Sequence, residues 1–553
     1  MDKEPPLALT LDELSQLSHG RVLGDGQVQV DSVSLDSTDT KPDGLFAAVP
    51  GTHVHGAHFA LSSGAAAVIT NVEGVEIMRS SLAAEGNNQG ELPPILLVDD
   101  VRSVLGIVSA AVYDYPTREL TVLGVTGTSG KTTTSYLLEA GLLAAGQSVG
   151  IIGTTGTRIN GVPVPSSLTT PEAPKLQELF AQMRAEGVTH VVMEVSSHAL
   201  ALGRVQGTDF DVAGFTNLSQ DHLDFHPTME DYFRTKAELF LGPDAARRAV
   251  VCINDDWGER LAAELDEQDK PVTVVNTTVA SGEDEEILRA RIQECMVPGT
   301  VLAWQQSVRA TGEQHVVMDI QPLASTSESH SETMQSVEFD LPLPGEFNVA
   351  NAALATAMAQ SAGVDIDSFI AGIAKVSVPG RMQKIDQGQD FVAVVDYAHK
   401  PAAVAAVLDS LREQYPQARI GVVIGAGGDR DASKRPVMGA AAAQRADLVV
   451  VTDDNPRSEE PAVIRAAVME GARSAQNIRA ERILDISDRS LAIAAAIEWA
   501  RPGDCVIVLG KGHEVGQIVG DETLPFDDRE EVSRALNVRL SAAVEIETEE
   551  SNK

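Results

Sequence analysis

Basic residues are in short supply here: 42 Lys and Arg stand against 80 Asp and Glu, a net charge of −38 over 553 residues. So acidic a chain is repelled by nucleic acid and by anionic membrane, and any anionic substrate must be met by local cationic pockets. Cysteine is scarcer still. Cys252, Cys295 and Cys505 are the only three, too scattered for a zinc site or a disulfide framework, which fits a reducing compartment. No apolar run reaches membrane-spanning length, and Met1-Asp2-Lys3-Glu4-Pro5-Pro6 lacks a basic region followed by an apolar one. The expectation is a soluble cytoplasmic protein with no nucleic-acid partner and no membrane insertion.

The length suggests about three or four domains. From about Val28 to Leu97 short apolar runs alternate with Gly and Pro turns, indicating a small α/β domain. Within it Val72–Glu91 has no periodicity and reads as a surface insertion. A linker is expected around Tyr115-Pro116-Thr117. Strand-like runs then follow at Leu120–Val125, Val149–Ile152, His190–Glu194, Val212–Thr216 and Ala249–Ile253, separated by helical patterns, as in a parallel sheet wrapped by helices. Between Val274 and Glu338 the pattern loosens into peripheral strands and polar loops, including 281–286 and 325–329. After a helix at Asn348–Ala362 and a boundary at Val378-Pro379-Gly380-Arg381, a second alternation runs through Val392–Val395, Ile420–Ile424, Leu448–Thr452 and Cys505–Leu509. The acidic tail from Ile546 is expected to fray. The fold class is therefore α/β in three domains: a small α/β domain over residues 1–118, a central P-loop-type parallel-sheet ATPase domain over 119–377, and a Rossmann-like α/β domain over 378–553.

The most informative stretch is Gly124-Val-Thr-Gly-Thr-Ser-Gly-Lys-Thr-Thr-Thr134, directly after an apolar run. Gly127 and Gly130 let backbone N–H groups close on phosphate oxygens, Lys131 supplies a point charge, and Thr132 offers a hydroxyl to a phosphate-bound Mg²⁺. A helix starting there would aim its positive end at the same anion. Val125 stands where the common consensus has its first glycine; an ordinary Gly/Ser turn is the bland alternative. Two further segments end strands: Met193-Glu194-Val195-Ser196-Ser197-His198, whose carboxylate could hold Mg²⁺ or merely be solvated, and Asn217–His226, rich in His and Asp, where Asp221 could instead cap the next helix.

These three segments, with Asn348–Asn351, Gly380-Arg381-Met382, Asp396-Tyr397-Ala398-His399, Gly427–Arg435, Asp454-Asn455-Pro456-Arg457 and Gly510-Lys511-Gly512-His513-Glu514, stand in the order found in the Mur ligases. The chain resembles that family along nearly its whole length, most closely the members that add the third residue of the peptidoglycan stem peptide. The resemblance implies ATP and Mg²⁺ as cofactors and UDP-MurNAc-L-Ala-D-Glu as substrate, bound by the first domain. It implies an ATP site of Gly127, Thr128, Ser129, Gly130, Lys131, Thr132, Thr133, Asn351, Arg381, Asp396 and His399. Thr132, Glu194 and His222 would arrange the metal. Lys236 matches a lysine that the family carbamylates, and a carbamate is an anionic oxygen ligand; from its own neighbours it reads as a surface helix lysine. Lys131, Glu194, His222 and Lys236 form the implied catalytic set. Leu35, Ser37, Thr52, His53 and Val54 match positions holding the uridine nucleotide, and Thr169, Thr170, Ser196 and Arg204 the diphosphate-sugar side. Thr38 departs from the Arg of many relatives and Leu202 from the Gln of some.

By the same resemblance the amino-acid pocket comprises Arg430, Asp454, Asn455, Pro456, Arg457, Gly510 and Glu514. The planar fork of Arg457 suits a carboxylate, and meso-diaminopimelate differs from lysine by a distal carboxylate; a surface ion pair is the alternative role for Arg457. The expected activity is ATP-dependent amide ligation of meso-diaminopimelate through an acyl phosphate, by a monomer. Ligation of L-lysine, another Mur-superfamily ligation, and an ATP-gated binding protein that ligates nothing are the rivals.

Overall fold

The computed structural model describes residues 8–51, 54–84, 91–165, 168–223, 225–277, 299–308, 313–321 and 334–551. The polar tracts 281–286 and 325–329, and Thr52 and His53, lie outside these residues.

The leading part is a five-stranded sheet in the order Arg21–Leu23, Ile95–Leu97, Ala67–Thr70, Gly44–Ala47, Ser32–Ser34, parallel except at the Arg21–Leu23 edge. The helix Leu11–Ser18, capped reciprocally by Thr10 and Glu13, and the helix Val101–Val112 bury Leu11, Leu14, Val101 and Val108 on one face. On the other face lies a correction to the sequence reading. Val72–Ala84 is a helix, seated by Val75 and Met78 against Phe46 and Val68. Its buried residues cover too narrow a stripe to register as periodicity.

The central part carries an eleven-stranded sheet. Seven strands are parallel, in the order Val149–Gly153, His190–Glu194, Thr121–Thr126, Val212–Phe215, Arg248–Cys252, Val272–Asn276, Thr300–Val308; antiparallel strands extend both ends. The parallel sheet is extended by antiparallel strands, Gly156–Ile159 and Val162–Val164 at one edge and Gln314–Gln321 and Gln335–Leu341 at the other, the latter largely within the stretch where peripheral strands are expected. On one face the helix Glu346–Ser361 is buried nearly throughout; its alanines bring it so close that a Cβ at Gly214 would lie 2.3 Å from Met358 Sδ. Asn348 lies inside this helix rather than at its cap, its amide donating to Pro344 O at 2.7 Å, and Gly345 occupies the N-cap.

The segment read as a linker contains a short 3₁₀ helix, Pro116–Glu119, entered through Tyr115 in the left-handed region. The last part is a six-stranded sheet in the order Gln383–Lys384, Val392–Asp396, Cys505–Leu509, Ile420–Ile424, Leu448–Val451, Arg482–Asp485, parallel except for the first strand. The final helix, Asp528–Ser551, runs into the acidic tail as far as Ser551; acidic residues in its first turn favour its N-terminus. No described helix is long and apolar enough to cross a membrane.

Candidate active site

The strand Thr121–Thr126 lies between His190–Glu194 and Val212–Phe215, so the segments following all three emerge side by side at the carboxyl edge, where open α/β sheets bind ligands. Gly127 (φ +141°) and Gly130 (φ +87°) shape the loop between strand and helix Lys131–Ala144; Cβ atoms there would lie 1.9 Å from Thr216 Oγ1 and 2.4 Å from Asn351 Oδ1. The 217–226 segment laces to the loop: Thr128 N donates to Asn217 O at 2.9 Å, Ser129 N to Asn217 Oδ1 at 3.0 Å, and Ser219 N to Thr128 Oγ1 at 3.0 Å.

Two lysines converge here. Lys131 Nζ donates to Gly127 O at 2.9 Å and Thr128 O at 3.2 Å; burial and the neighbouring Lys400 lower its pKa to about 8, which leaves it charged at neutral pH. Lys236, 1% exposed, is a core residue and not a surface one, because its helix Met229–Leu241 packs that face against the loop. Its Nζ lies 3.0 Å from Gly127 O, and burial followed by Lys131 and Lys400 pushes its pKa well down.

Glu194 is buried, its carboxylate accepting from Thr154 N and Thr154 Oγ1, both at 2.9 Å. Thr169 Oγ1 lies 3.2 Å from Thr154 Oγ1, Thr170 Oγ1 donates to Glu194 O at 2.8 Å, and Ser196 caps the helix Ser197–Ala201. Arg204 donates to Thr170 O at 3.3 Å and pairs with Glu172 at 2.8 Å. His222 has φ +53° and sits 3.1 Å from Asp221 Oδ2; burial pushes its pKa down to about 4, so the ring is neutral and keeps a lone pair. Asp221 caps no helix: Thr228 caps the next one, and Asp221 instead faces Lys400 of the C-terminal part, Oδ2 to Nζ 2.6 Å.

The C-terminal part closes on this loop. Arg381 Nη2 donates to Thr132 Oγ1 at 3.3 Å while its guanidinium lies 4.2 Å over the Tyr397 ring. Buried Asp396 accepts from Met382 N and Ala398 N, both at 2.7 Å, so one carboxylate fixes the turns carrying Arg381 on one side and His399 on the other. Burial raises the pKa of Asp396 and, with Lys400, lowers that of His399 to about 3. Gly380 (φ +63°) lets this turn press on the next loop: a Cβ there would lie 2.1 Å from Gly512 C.

A second cluster occupies the carboxyl ends of the C-terminal strands. Lys511 Nζ, fully buried, donates to Asn455 Oδ1 at 2.9 Å and lies 3.5 Å from both Asp454 Oδ1 and Glu514 Oε2. Asn455 Nδ2 donates to Glu514 Oε2 at 2.9 Å, and a Cβ at Gly510 (φ +116°) would lie 2.7 Å from Asp454 Oδ2. Arg457 has φ +53°, and its Nη1 donates to Gly428 O at 2.8 Å. Pro456 presses its carbonyl on Gly428, and exposed Arg430 bonds Asp429 O at 3.3 Å.

Comparison with known proteins matches residues 125–359 to the Mur ligase middle domain and 380–512 to the Mur ligase, glutamate ligase domain. A Corynebacterium glutamicum protein named UDP-N-acetylmuramoyl-L-alanyl-D-glutamate--2,6-diaminopimelate ligase is 52% identical, over 95% of each chain. The chain belongs to the Mur ligase family. A Streptomyces coelicolor protein of the same name is 42% identical over 96% of each chain. A solved structure titled as that ligase is 27% identical with a TM-score of 0.61, covering 96% of this chain and 99% of its own. MurF from Acinetobacter baumannii, 17% identical at TM-score 0.58 over 92% of this chain and 96% of its own, shares the fold.

In this Mur ligase the loop residues, Glu194, His222, Lys236, Asn351, Arg381 and Asp396 gather around one loop, while Asp454, Asn455, Gly510 and Glu514 form the second cluster, with Arg457 Nη1 3.4 Å from Asn455 O; Arg430 is exposed and bonds Asp429 O instead. Leu35 and Ser37 follow the strand Ser32–Ser34 and exposed Val54 follows Gly44–Ala47, all in the leading part outside its strands. Three residues of this Mur ligase carry contacts that sequence reasoning assigned to none of them: Thr154, which holds Glu194; Lys400; and Lys511. Lys511 sits in the quoted Gly510 motif and Lys400 directly follows the quoted His399 motif, so proximity to those motifs was the available signal.

Proposed function

We propose that this chain ligates meso-2,6-diaminopimelate to UDP-N-acetylmuramoyl-L-alanyl-D-glutamate at the expense of ATP, in peptidoglycan synthesis in the cytoplasm. Kinship with the diaminopimelate ligases along nearly the whole chain carries the reading; the geometry supplies a mechanism. Residues 1–118 hold the uridine nucleotide through Leu35, Ser37, Thr52, His53 and Val54, residues 119–377 the ATP, and residues 378–553 the amino acid.

Gly127–Thr133 wraps the phosphates with backbone N–H groups, and Lys131 offsets charge on the transferred phosphoryl oxygens. A D-glutamate carboxylate oxygen attacks the γ-phosphorus, the bond to the ADP oxygen breaks, and an acyl phosphate results. The incoming amine, deprotonated, then attacks the acyl carbon and inorganic phosphate leaves. Thr169, Thr170, Ser196 and Arg204 orient the carboxylate beside the loop, and alignment contributes much of the rate.

Mg²⁺ fits the donor set. Thr132 offers a hydroxyl, Glu194 a buried carboxylate and His222 a neutral imidazole. Among the described residues no three His, Cys, Asp or Glu side chains form a cage, as befits a cation that completes its shell with phosphate oxygens and water. When bound it neutralises phosphate charge. Lys236, whose ammonium form burial disfavours, suits addition to CO₂: an N–C bond would form, a proton would leave, and the carbamate would supply an anionic oxygen ligand.

Arg457 supplies the guanidinium for the distal carboxylate, with Asp454, Asn455 and Glu514 for the ammonium groups. The test uses dipeptide substrate with heavy oxygen in the D-glutamate carboxylate. Diaminopimelate-dependent turnover releasing phosphate with one heavy oxygen is the expected result; phosphate without label, or released without the dipeptide, refutes the acyl-phosphate route.

A further inference from the structure

Lys400 opens the helix Pro401–Gln414 at its N-cap, with Pro401 fixing the first turn, so it is mounted on a rigid element of the C-terminal part. Its side chain crosses to the central part, where Nζ lies 2.6 Å from Asp221 Oδ2 and 3.3 Å from Thr128 O. The paired side chains are only 12% and 15% exposed. Asp221 in turn belongs to the segment whose Asn217 and Ser219 are bonded to the loop at Thr128 and Ser129. One ammonium therefore touches both strands of this lacing from the opposite domain.

Asp221 poses an electrostatic problem for a triphosphate site. A carboxylate half-withdrawn from water beside the glycine loop repels a polyanion, and the repulsion is little screened there. We propose that Lys400 is a positioning residue: on closure of the C-terminal part it neutralises Asp221 and fixes the loop and the 217–226 segment in phosphate-binding register. Closure and nucleotide affinity are thereby coupled through one ion pair. The proposal rests on the nucleotide site described above but not on ligation.

A double-mutant cycle of Lys400→Met, Asp221→Asn and the two combined, read by calorimetric MgATP binding, tests it. Lys400→Met removes the ammonium in contact with Asp221, leaving only the more distant Lys131, Lys236 and Lys434, and should weaken binding about tenfold, since much of the loss on truncating a buried charge pair is the stranded partner. Lys400→Arg should stay near wild type. Removing both charges, Asp221→Asn with Lys400→Met, should restore affinity to within about threefold of wild type, because the repulsion is gone. Thermal melts of all variants identify any general loss of folding, and the charge-restoring double variant keeps the comparison decisive in that event. Unchanged affinity in Lys400→Met overturns the proposal, as does a double variant as weak as Lys400→Met, which would make Lys400 a direct phosphate contact. Tight MgATP binding without ligation would refute the ligase reading and leave this cycle intact.

Discussion

Lys511 Nζ lies 2.9 Å from Asn455 Oδ1 at the centre of the C-terminal cluster, fully buried, and 3.5 Å from both Asp454 and Glu514. Two carboxylates thus share one fixed cation, so Lys511 balances only one of their two charges and the other is available to the ammonium of an incoming amino acid. Lys511→Met strands both carboxylates. Its expected effect is a rise of about tenfold or more in KM for diaminopimelate with KM for ATP unchanged; steady-state kinetics with each substrate varied in turn decides it.

Gly380 is the point where the turn carrying Arg381 presses on the 510–514 loop. Alanine there meets both a positive φ and backbone atoms at 2.1 Å (Gly512 C) and 2.2 Å (His513 N). Gly380→Ala should lower kcat about a hundredfold through misplacement of Arg381 and should also lower the melting temperature, since the φ is strained and the displaced neighbour is backbone. Unaltered kcat would show that the contact between turn and loop is dispensable.

Arg489 and Asp528 form a buried pair, each side chain 0% exposed, with two bonds of 2.7 Å, and Arg489 also donates to Leu509 O at 2.9 Å just before Gly510. Arg489→Met leaves a buried carboxylate without its cation and should cost about 3–5 kcal/mol in urea unfolding. Simultaneous Asp528→Leu should recover much of it.

His222, His399 and His513 have pKa values pushed down by burial to about 4, 3 and 4. Each takes up its proton more readily when unfolded, so the unfolded state binds more protons between its ordinary pKa near 6.5 and the folded value. Stability therefore falls as pH drops from about 6.5 towards 4. Melting temperatures at stepped pH should show the slope, and His399→Asn should flatten it.

The strands around the site were legible because each apolar run ends in glycine or a polar side chain, as at Thr126-Gly127, Glu194 and Leu509-Gly510. Helix Val72–Ala84 was hidden by its Ser and Glu content and narrow buried stripe. Lys236 reads as exposed from its neighbours Arg234, Thr235 and Glu238; only the packing of Tyr232, Phe233 and Ala237 turns that face inward. The Lys400–Asp221 pair joins residues far apart in sequence, and no local pattern encodes such a contact. For that reason Asp221 reads from its own neighbours as a helix cap.

Selectivity between meso-diaminopimelate and L-lysine tests the central claim most directly. The protein is given ATP, Mg²⁺, UDP-MurNAc-L-Ala-D-Glu and equal concentrations of both amino acids, and the products are weighed by mass spectrometry. The diaminopimelate product should exceed the lysine product at least about a hundredfold, since a site built to pair a carboxylate rejects the analogue that lacks it, and Arg457→Ala should erase that preference. Comparable lysine incorporation by the unaltered protein, or no product with either amino acid, would contradict the account.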